Sequence, residues 1–246
     1  MKRLVPIAMA VFGLALLLAG CSHKPATAAT PQGVDAQKAQ VAERVDQSSR
    51  DLQELVNAPD NSIPQEIMAK ARCVAVIPDM VKGGFVFGGQ HGRGLATCRT
   101  GNGWSAPIPI ALSGGSWGAQ IGVQSADVVL LFLNDHALAD LLSDKVKLGA
   151  EASIAAGPVG RHAQAATDVK LNSQILSYSR TKGLFAGLDL SGAKVSQDMD
   201  TTAAMYGKQI PFSSLLAGQV QTPAVARSFV NTVRKEFSQA VSAKED

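Results

Sequence analysis

The sequence predicts an α+β protein in which a mainly antiparallel β-sheet, curled into a barrel or a sandwich, is flanked by N-terminal and C-terminal helices. The middle of the chain consists of short apolar runs separated by glycine pairs, which is typical of strands joined by tight turns. Both ends of the chain instead carry apolar residues at spacings of three, four and seven, the period of an amphipathic helix. Aromatic residues make up only 5% of the chain, so Val, Ile, Leu and Ala must form most of the core.

The helical period places one helix from Val34 to about Asn57 and a short second helix up to Ala71, with Ser62 as its candidate N-terminal cap. A third helix is predicted after the capping residues Asn134-Asp135. Further helices are predicted over residues 198–206, 213–216 and 223–241, the last with a single apolar stripe.

The strands are predicted from apolar runs that stop at glycine or at proline and aspartate. Turns are expected at the glycine pairs of residues 83–84, 88–89 and 114–115, and at Gly101-Asn102-Gly103. The predicted strands cover residues 73–77, 84–87, 94–99, 104–112, 117–123, 127–133, 151–156, 163–169, 175–180 and 184–191.

The N-terminus resembles the signal peptide of a bacterial lipoprotein. Lys2 and Arg3 precede an uncharged apolar run over residues 4–19, and the run ends in the lipobox-like tetrapeptide Leu18-Ala19-Gly20-Cys21. The resemblance implies a diacylglycerol on Cys21 and cleavage before it; an ordinary signal peptide or an uncleaved anchor is the alternative. Ser22, in the place where aspartate favours inner-membrane retention, indicates the outer membrane, facing the periplasm.

This segment divides the chain into a signal peptide over residues 1–20, a tether over 21–32 and a single domain over 33–246. Removal of residues 1–20 leaves 21 basic against 20 acidic residues. No basic field remains that would attract a nucleic acid, so that class of partner is not expected.

Two cysteines, Cys73 and Cys98, remain once Cys21 carries the lipid. In an oxidising compartment an even pair indicates a disulfide, which would stabilise the fold by about 3 kcal/mol. Two buried free thiols are the alternative interpretation.

The sequence gives little support for catalysis or metal binding. Gly114-Gly115-Ser116-Trp117-Gly118 matches the G-x-S-x-G nucleophile elbow, but the residues that follow alternate like a strand, whereas the elbow needs a helix. The chain has four histidines and neither an H-x-x-x-H nor a C-x-x-C spacing. We therefore predict no catalytic residue, no metal and no cofactor.

Residues 69–218 resemble a SYLF domain, described in eukaryotic proteins as a lipid-binding or actin-binding domain. Each matching piece is short, but together they occur in the usual order. They are Val76-Ile77-Pro78, residues 83–89, 92–94, 104–107, 120–122, 148–149, 155–161, Tyr178-Ser179-Arg180, residues 183–187 and Tyr206-Gly207.

The resemblance implies a non-catalytic domain that binds membrane phospholipid. Eukaryotic relatives prefer phosphoinositides and some contact actin, neither of which is expected in a periplasm. Membrane phospholipid, or another component of the cell envelope, is therefore the expected partner. The alternative is an interaction protein that docks on another envelope protein, with lipid binding incidental.

Five cations within or beside the matching pieces are candidates for binding a lipid headgroup. Arginine and lysine can donate to phosphate oxygens, and neighbouring glycines let a headgroup approach the backbone. Arg161 is the preferred candidate because Gly157-Pro158-Val159-Gly160 precedes it as a turn. Solvated charges or local ion pairs are the alternative for each. The candidates are Lys82, Arg93, Arg161, Arg180 and Lys182.

Overall fold

The computed structural model describes residues 31–59, 62–134, 136–143, 148, 153–159, 174–181, 184–185 and 190–242. Cys21, the tether up to residue 30 and the candidate cations Arg161 and Lys182 lie outside the described residues, as does the strand predicted at 163–169. The fold is α+β, with a mixed, curled sheet and helices at both ends, as the sequence predicts.

The helices lie where the apolar period predicts them. Asn134 caps the third helix through its Oδ1, which accepts the backbone N–H of Ala137 at 2.7 Å. Ser62 does not cap the second helix, which begins after Pro64 without any side-chain cap. The helices are α1 Pro31–Val56, α2 Gln65–Lys70, α3 Ala137–Leu142, α4 Met199–Tyr206, α5 Phe212–Leu216 and, after a 3-10 turn at Ala224–Ala226, α6 Arg227–Ser242.

The strands form one curled sheet in the order β2-β1-β3-β5-β4, with β6 paired to β5 and β7 paired to β3. All these pairs are antiparallel except β4 with β5, which is parallel. The strands are β1 Cys73–Thr100, β2 Gly103–Trp104, β3 Ile108–Phe132, β4 Ile154–Ala156, β5 Ile175–Thr181, β6 Leu184–Phe185 and β7 Lys194–Gln197.

The lengths of the central strands correct the sequence prediction. The three strands predicted between residues 73 and 99 are a single strand of 28 residues, β1, and most of those predicted between 104 and 133 form β3, with 25 residues. The glycine pairs at 83–84, 88–89 and 114–115 lie inside these strands, and the turn falls at Gly101-Asn102. Glycine in a strand permits bending and close approach of two backbones, so a glycine pair does not by itself require a turn.

Strand β1 curls until its two ends meet. Its pairing with β3 runs from Cys73 opposite Phe132 to Ala96 opposite Ile108. Where the ends meet, the N–H of Arg99 donates to the carbonyl of Arg72 at 2.7 Å. The predicted disulfide between Cys73 and Cys98 is present at the same point, and both cysteines are buried.

Glycine is required where β1 passes over itself. A Cβ on Gly94 would lie 2.0 Å from the carbonyl oxygen of Val76, far inside van der Waals contact with backbone. A Cβ on Gly92 would lie 2.6 Å from Cγ2 of Ile77. The absence of side chains at these positions therefore allows the strand to curl.

Each face of the curled sheet carries a buried cluster, and alternate residues of β1 contribute to different clusters. Ala75 and Ile77 face the inside of the curl. Residues of α3 and α5 pack into the same hydrophobic cluster. Val74 and Val76 face the outside, where α1, α2 and α6 cover the sheet. The apolar stripe predicted on the last helix is buried here through Phe229, Val233 and Phe237. No helix in the described part of the chain is long and apolar enough to cross a membrane.

Candidate functional site

The three candidate cations that the structure describes lie on two strands. Lys82 and Arg93 are in β1, opposite Gln124 and Ala111 of β3, and Arg180 is in β5, opposite Asp127. Arg161 and Lys182 are outside the described residues.

Arg93 pairs with the buried carboxylate of Asp198. Its Nε lies 3.6 Å from Oδ2 of Asp198, and Nη1 of Arg44 in α1 lies 4.0 Å from the same oxygen. Asp198 also caps α4, because its Oδ1 accepts the N–H of Thr201 at 3.0 Å. Burial lowers the pKa of Arg44, and the charge of Asp198 opposes that shift. This network fastens α1 and α4 to the sheet and offsets the charge of Arg93.

Arg180 is held between two carboxylates, one on α1 and one on β3. It forms ion pairs with Glu54 and with Asp127, the latter at 3.2 Å from Nη2, and its side chain is only 15% exposed. Burial acts to lower the pKa of Arg180, but the hydrogen bonds to Glu54 and Asp127 outweigh it and the pKa is raised. Asp127 also accepts the N–H of Asp79, which adopts a left-handed φ of 45° at the bulge in β1.

The two arginines do not share one site. Arg93 reaches α1 at Arg44, through Asp198, whereas Arg180 reaches α1 at Glu54. Ten residues of helix separate these contacts by about 15 Å along the axis.

Asp51 stands beside the carboxylates that hold Arg180. Burial and then the negative charge of Asp127 raise its pKa from 3.8 to about 7, while Arg180 acts in the opposite direction. The carboxyl group of Asp51 therefore changes charge near neutral pH, one turn of α1 before Glu54.

We expect the Asp51 carboxyl to make the fold less stable as pH rises from about 4 to about 7. The folded state holds this proton more tightly than the unfolded state, so unfolding releases it across that range and stability falls with pH. Asp51→Asn should remove this loss and raise stability at pH 8 by about 1 to 2 kcal/mol, allowing for solvent screening at a half-buried site. Urea unfolding at pH 5 and pH 8 measures the difference.

Asp46→Asn is the matched control, because it removes an exposed carboxylate from the same helix. If Asp46→Asn changed the pH dependence as much as Asp51→Asn does, the effect would belong to net charge and not to the Asp51 site.

A polar cleft opens beside Arg180, between the end of α1, β5 and α6, with a volume of about 530 Å³. Its cationic lining includes Arg50 of α1 and Lys235 of α6 besides Arg180. Arg180 is neutralised by its carboxylates, whereas Arg50 and Lys235 are exposed to solvent, although Lys235 also forms an ion pair with Glu236. The sequence analysis did not identify Arg50 and Lys235 as candidates, because each is an ordinary charged residue on the polar face of its helix and the two helices are far apart in the chain.

The deepest charged group of the cleft is Glu236, whose side chain is 3% exposed. Its Oε1 accepts no hydrogen bond from any described residue, and Nζ of Lys235 lies 3.6 Å away. Glu236 also lines a second pocket of about 120 Å³, between α1, α2 and α6. Asn57 borders both spaces, so the small pocket adjoins the cleft.

Within the described part of the chain, the arrangement brings together charged groups that can bind a charged ligand. Ser116 lies inside β3, opposite Gly88, where a nucleophile elbow would need a turn into a helix. Among the described residues no three His, Cys, Asp or Glu side chains are grouped to hold a metal ion.

A separate surface carries two exposed valines. Val81 and Val123 are 44% and 77% exposed. Val81 pairs with Ser125 and Gly83 pairs with Val123, so both valines lie on the same face of the β1–β3 ladder. Lys82 is the residue between the positions of Val81 and Gly83, on the opposite face.

Comparison with known proteins identifies the family. Residues 113–236 match the family model Ysc84, described as Las17-binding protein actin regulator. The chain is 38% identical over 169 residues to an SH3 domain-containing protein of Schizosaccharomyces pombe. The matched region covers 67% of this chain and 39% of that protein. It is 33% identical over 171 residues to protein YSC84 of Saccharomyces cerevisiae, and the match covers 68% of this chain and 36% of that protein.

The SH3 domain-containing YSC84-like protein 1 of Mus musculus is 32% identical over 172 residues, covering 69% of this chain and 50% of the relative. The matched region is thus half or less of the length of each of these relatives. The matched segment of the family model includes Arg180, Lys235 and Glu236, and Arg50 precedes it. On these matches, which agree with the resemblance found in the sequence, the chain belongs to the Ysc84 family, whose domain is the SYLF domain.

Proposed function

We propose that this protein is a bacterial lipoprotein, anchored through Cys21 at the periplasmic face of the outer membrane, whose domain binds phospholipid headgroups without catalysing a reaction. The lipobox-like sequence at residues 18–21 supports the anchor. Membership of a family described as Las17-binding protein actin regulator supports a binding role.

The cleft beside Arg180 is the observation that carries the headgroup proposal. Arg50 and Lys235 project from two helices toward one space of about 530 Å³, large enough for a headgroup. Guanidinium and ammonium groups donate charge-assisted hydrogen bonds to phosphate oxygens. Arg180, held by Glu54 and Asp127, stiffens one wall of the cleft and contributes little free positive charge.

The lipid anchor and the cleft have separable tasks. The acyl chains of a mature lipoprotein hold it on the bilayer without help from the domain. Headgroup binding by the domain would instead fix its orientation on the membrane surface. The proposal must therefore be tested on a chain that carries no acyl group.

We expect the mature chain over residues 22–246, without acyl chains, to bind phospholipid vesicles in sedimentation assays, and to bind less as salt rises. Arg50→Ala combined with Lys235→Ala should weaken binding about a hundredfold, since two charge-assisted contacts worth about tenfold each are lost. Arg161→Ala, tested in parallel, decides whether that residue contributes as the sequence predicts.

The matched control combines Lys38→Ala with Arg234→Ala, which removes the same two kinds of charge from exposed positions of α1 and α6 away from the cleft. If both double variants weakened vesicle binding equally, the loss of binding would be due to net charge and not to the cleft. Absence of binding to every vesicle composition would reject lipid recognition by the domain.

The second candidate function is docking on another envelope protein. The exposed Val81 and Val123 on one face of the β1–β3 ladder favour it, because neighbouring exposed apolar side chains are common at protein interfaces. A relative in this family is named as an SH3 domain-containing protein and the family as Las17-binding, which are protein-interaction terms. Failure of all vesicle binding would make this the leading candidate.

A further inference from the structure

Glu236 occupies an unfavourable position for a carboxylate. Its side chain is 3% exposed, and its Oε1 has no hydrogen-bond donor among the described residues. Lys235 forms an ion pair with Glu236, but its Nζ lies 3.6 Å from Oε1, beyond hydrogen-bond distance, on a side chain that is 64% exposed. A buried carboxylate oxygen that accepts no hydrogen bond is unfavourable, and a donor from outside the chain would satisfy it.

The space around Glu236 is shaped for a small polar group. The pocket of about 120 Å³ is lined by the polar side chains of Asn57, Ser62 and Gln65 and by the apolar side chains of Ile63 and Met68. It adjoins the larger cleft, so a group can reach Glu236 from the cleft while the rest of its molecule stays outside.

The charges are arranged in a fixed order from the mouth inward. Arg50 and Lys235 stand at the exposed lining of the cleft, and the carboxylate of Glu236 lies at its buried end. Glu54, the other acidic residue of the lining, is already paired with Arg180. A ligand that fits this order carries an anionic group outside and a cationic hydrogen-bond donor inside.

A primary ammonium group suits this carboxylate better than a metal ion or a quaternary amine does. A primary ammonium offers three N–H donors to Oε1 and to the amide oxygens nearby. A trimethylammonium has no N–H and cannot satisfy the oxygen. Calcium requires six to eight oxygen ligands, and the described residues provide no group of carboxylates there.

We propose that this cleft recognises a phosphate ester carrying a primary ammonium, as in an ethanolamine headgroup, with the phosphate on Arg50 and Lys235 and the ammonium on Glu236. This inference rests on the proposed function for the source of the ligand, a membrane phospholipid. The same chemistry exists in free O-phosphoethanolamine, and the experiment separates the two sources.

The test compares vesicles whose phosphate is the same and whose amine differs. The unacylated mature chain should bind vesicles containing phosphatidylethanolamine about tenfold more tightly than vesicles of phosphatidylcholine, one charge-assisted hydrogen bond being worth roughly that factor. Glu236→Gln should abolish this preference. Glu43→Gln, which neutralises an exposed acid on α1, is the matched control and should keep the preference.

The outcomes separate the inference from the proposed function. Equal binding to ethanolamine and choline vesicles by the wild type, or a preference that survives Glu236→Gln, overturns the inference and leaves phospholipid binding standing. The comparison of ethanolamine with choline vesicles uses only the wild type, so it tests the inference even if Glu236→Gln folds poorly. If no vesicle binds, titration with O-phosphoethanolamine decides: binding that Glu236→Gln removes supports the site with a soluble ligand, and no binding overturns it.

Discussion

Replacing Gly94 with alanine should destabilise the domain by about 3 kcal/mol or more, the upper end of the range for overpacking a buried site. The added Cβ would lie 2.0 Å from the carbonyl oxygen of Val76 and 2.9 Å from Cα of Ile77. These atoms belong to the backbone of β1 itself, so no side chain can rotate away to make room. The two passes of the strand must separate, which disturbs both buried clusters of the sheet. Urea unfolding followed by circular dichroism measures the loss.

Gly115→Ala provides the comparison, because Gly115 lies in β3 of the same hairpin and a Cβ there would meet nothing within 4 Å. A change within about 0.5 kcal/mol is expected for it. If Gly94→Ala unfolded at the same urea concentration as Gly115→Ala, β1 could not cross itself at Gly94 as the structure has it.

The helices could be predicted from the sequence because their signals are local. The apolar residues that predicted α1 are buried in the structure, among them Val41, Val45 and Leu52. Asn134 signalled the start of α3 through a capping preference that acts over three residues. Such signals need no knowledge of what the helix packs against.

The lengths of β1 and β3 could not be predicted in the same way. Gly94 is required by its contact with Val76, eighteen residues earlier in the strand, and glycine in a turn looks the same in the sequence. The sequence contained the correct pieces of strand, but whether glycine joins or separates them depends on contacts between distant residues. Prediction from local pattern therefore divided two long strands into several short ones.

The site was predicted only in part for a related reason. Arg180 was identified from the family motif, but its partners Glu54 and Asp127 come from α1 and β3 and carry no mark in the sequence. Arg50 and Lys235 were missed because only the packing of α1 against α6 brings them to one cleft.

The position of Glu236 on the buried face of α6 could have been predicted from the sequence. It lies three residues after Val233 and four before Ala240, both buried, and so on the apolar stripe of α6 and not on its polar face. A charged residue on a buried stripe is uncommon and often has a specific partner. The deepest residue of the cleft could therefore have been singled out from the helical period alone.

Loss of the disulfide should destabilise the fold by about 3 kcal/mol without changing its architecture. The bond joins residues 25 positions apart, and loop-closure entropy for that separation gives a cost of this size in the unfolded chain. In the folded state the two ends of β1 remain joined by the hydrogen bond from Arg99 to Arg72. Cys73→Ala combined with Cys98→Ala should thus keep the far-ultraviolet circular dichroism spectrum and unfold at a lower urea concentration.

Reduction separates the effect of the bond from that of the substitutions. A thiol reductant should lower the stability of the wild type nearly to that of the double variant and leave the double variant unchanged. Because Gly94 and the disulfide both act where β1 meets itself, the two changes should not be additive: once the bond is gone, the strand can open with less resistance and Gly94→Ala should cost less. Full additivity would contradict a shared role, and would place the strain of Gly94→Ala away from the junction that Cys73 and Cys98 close.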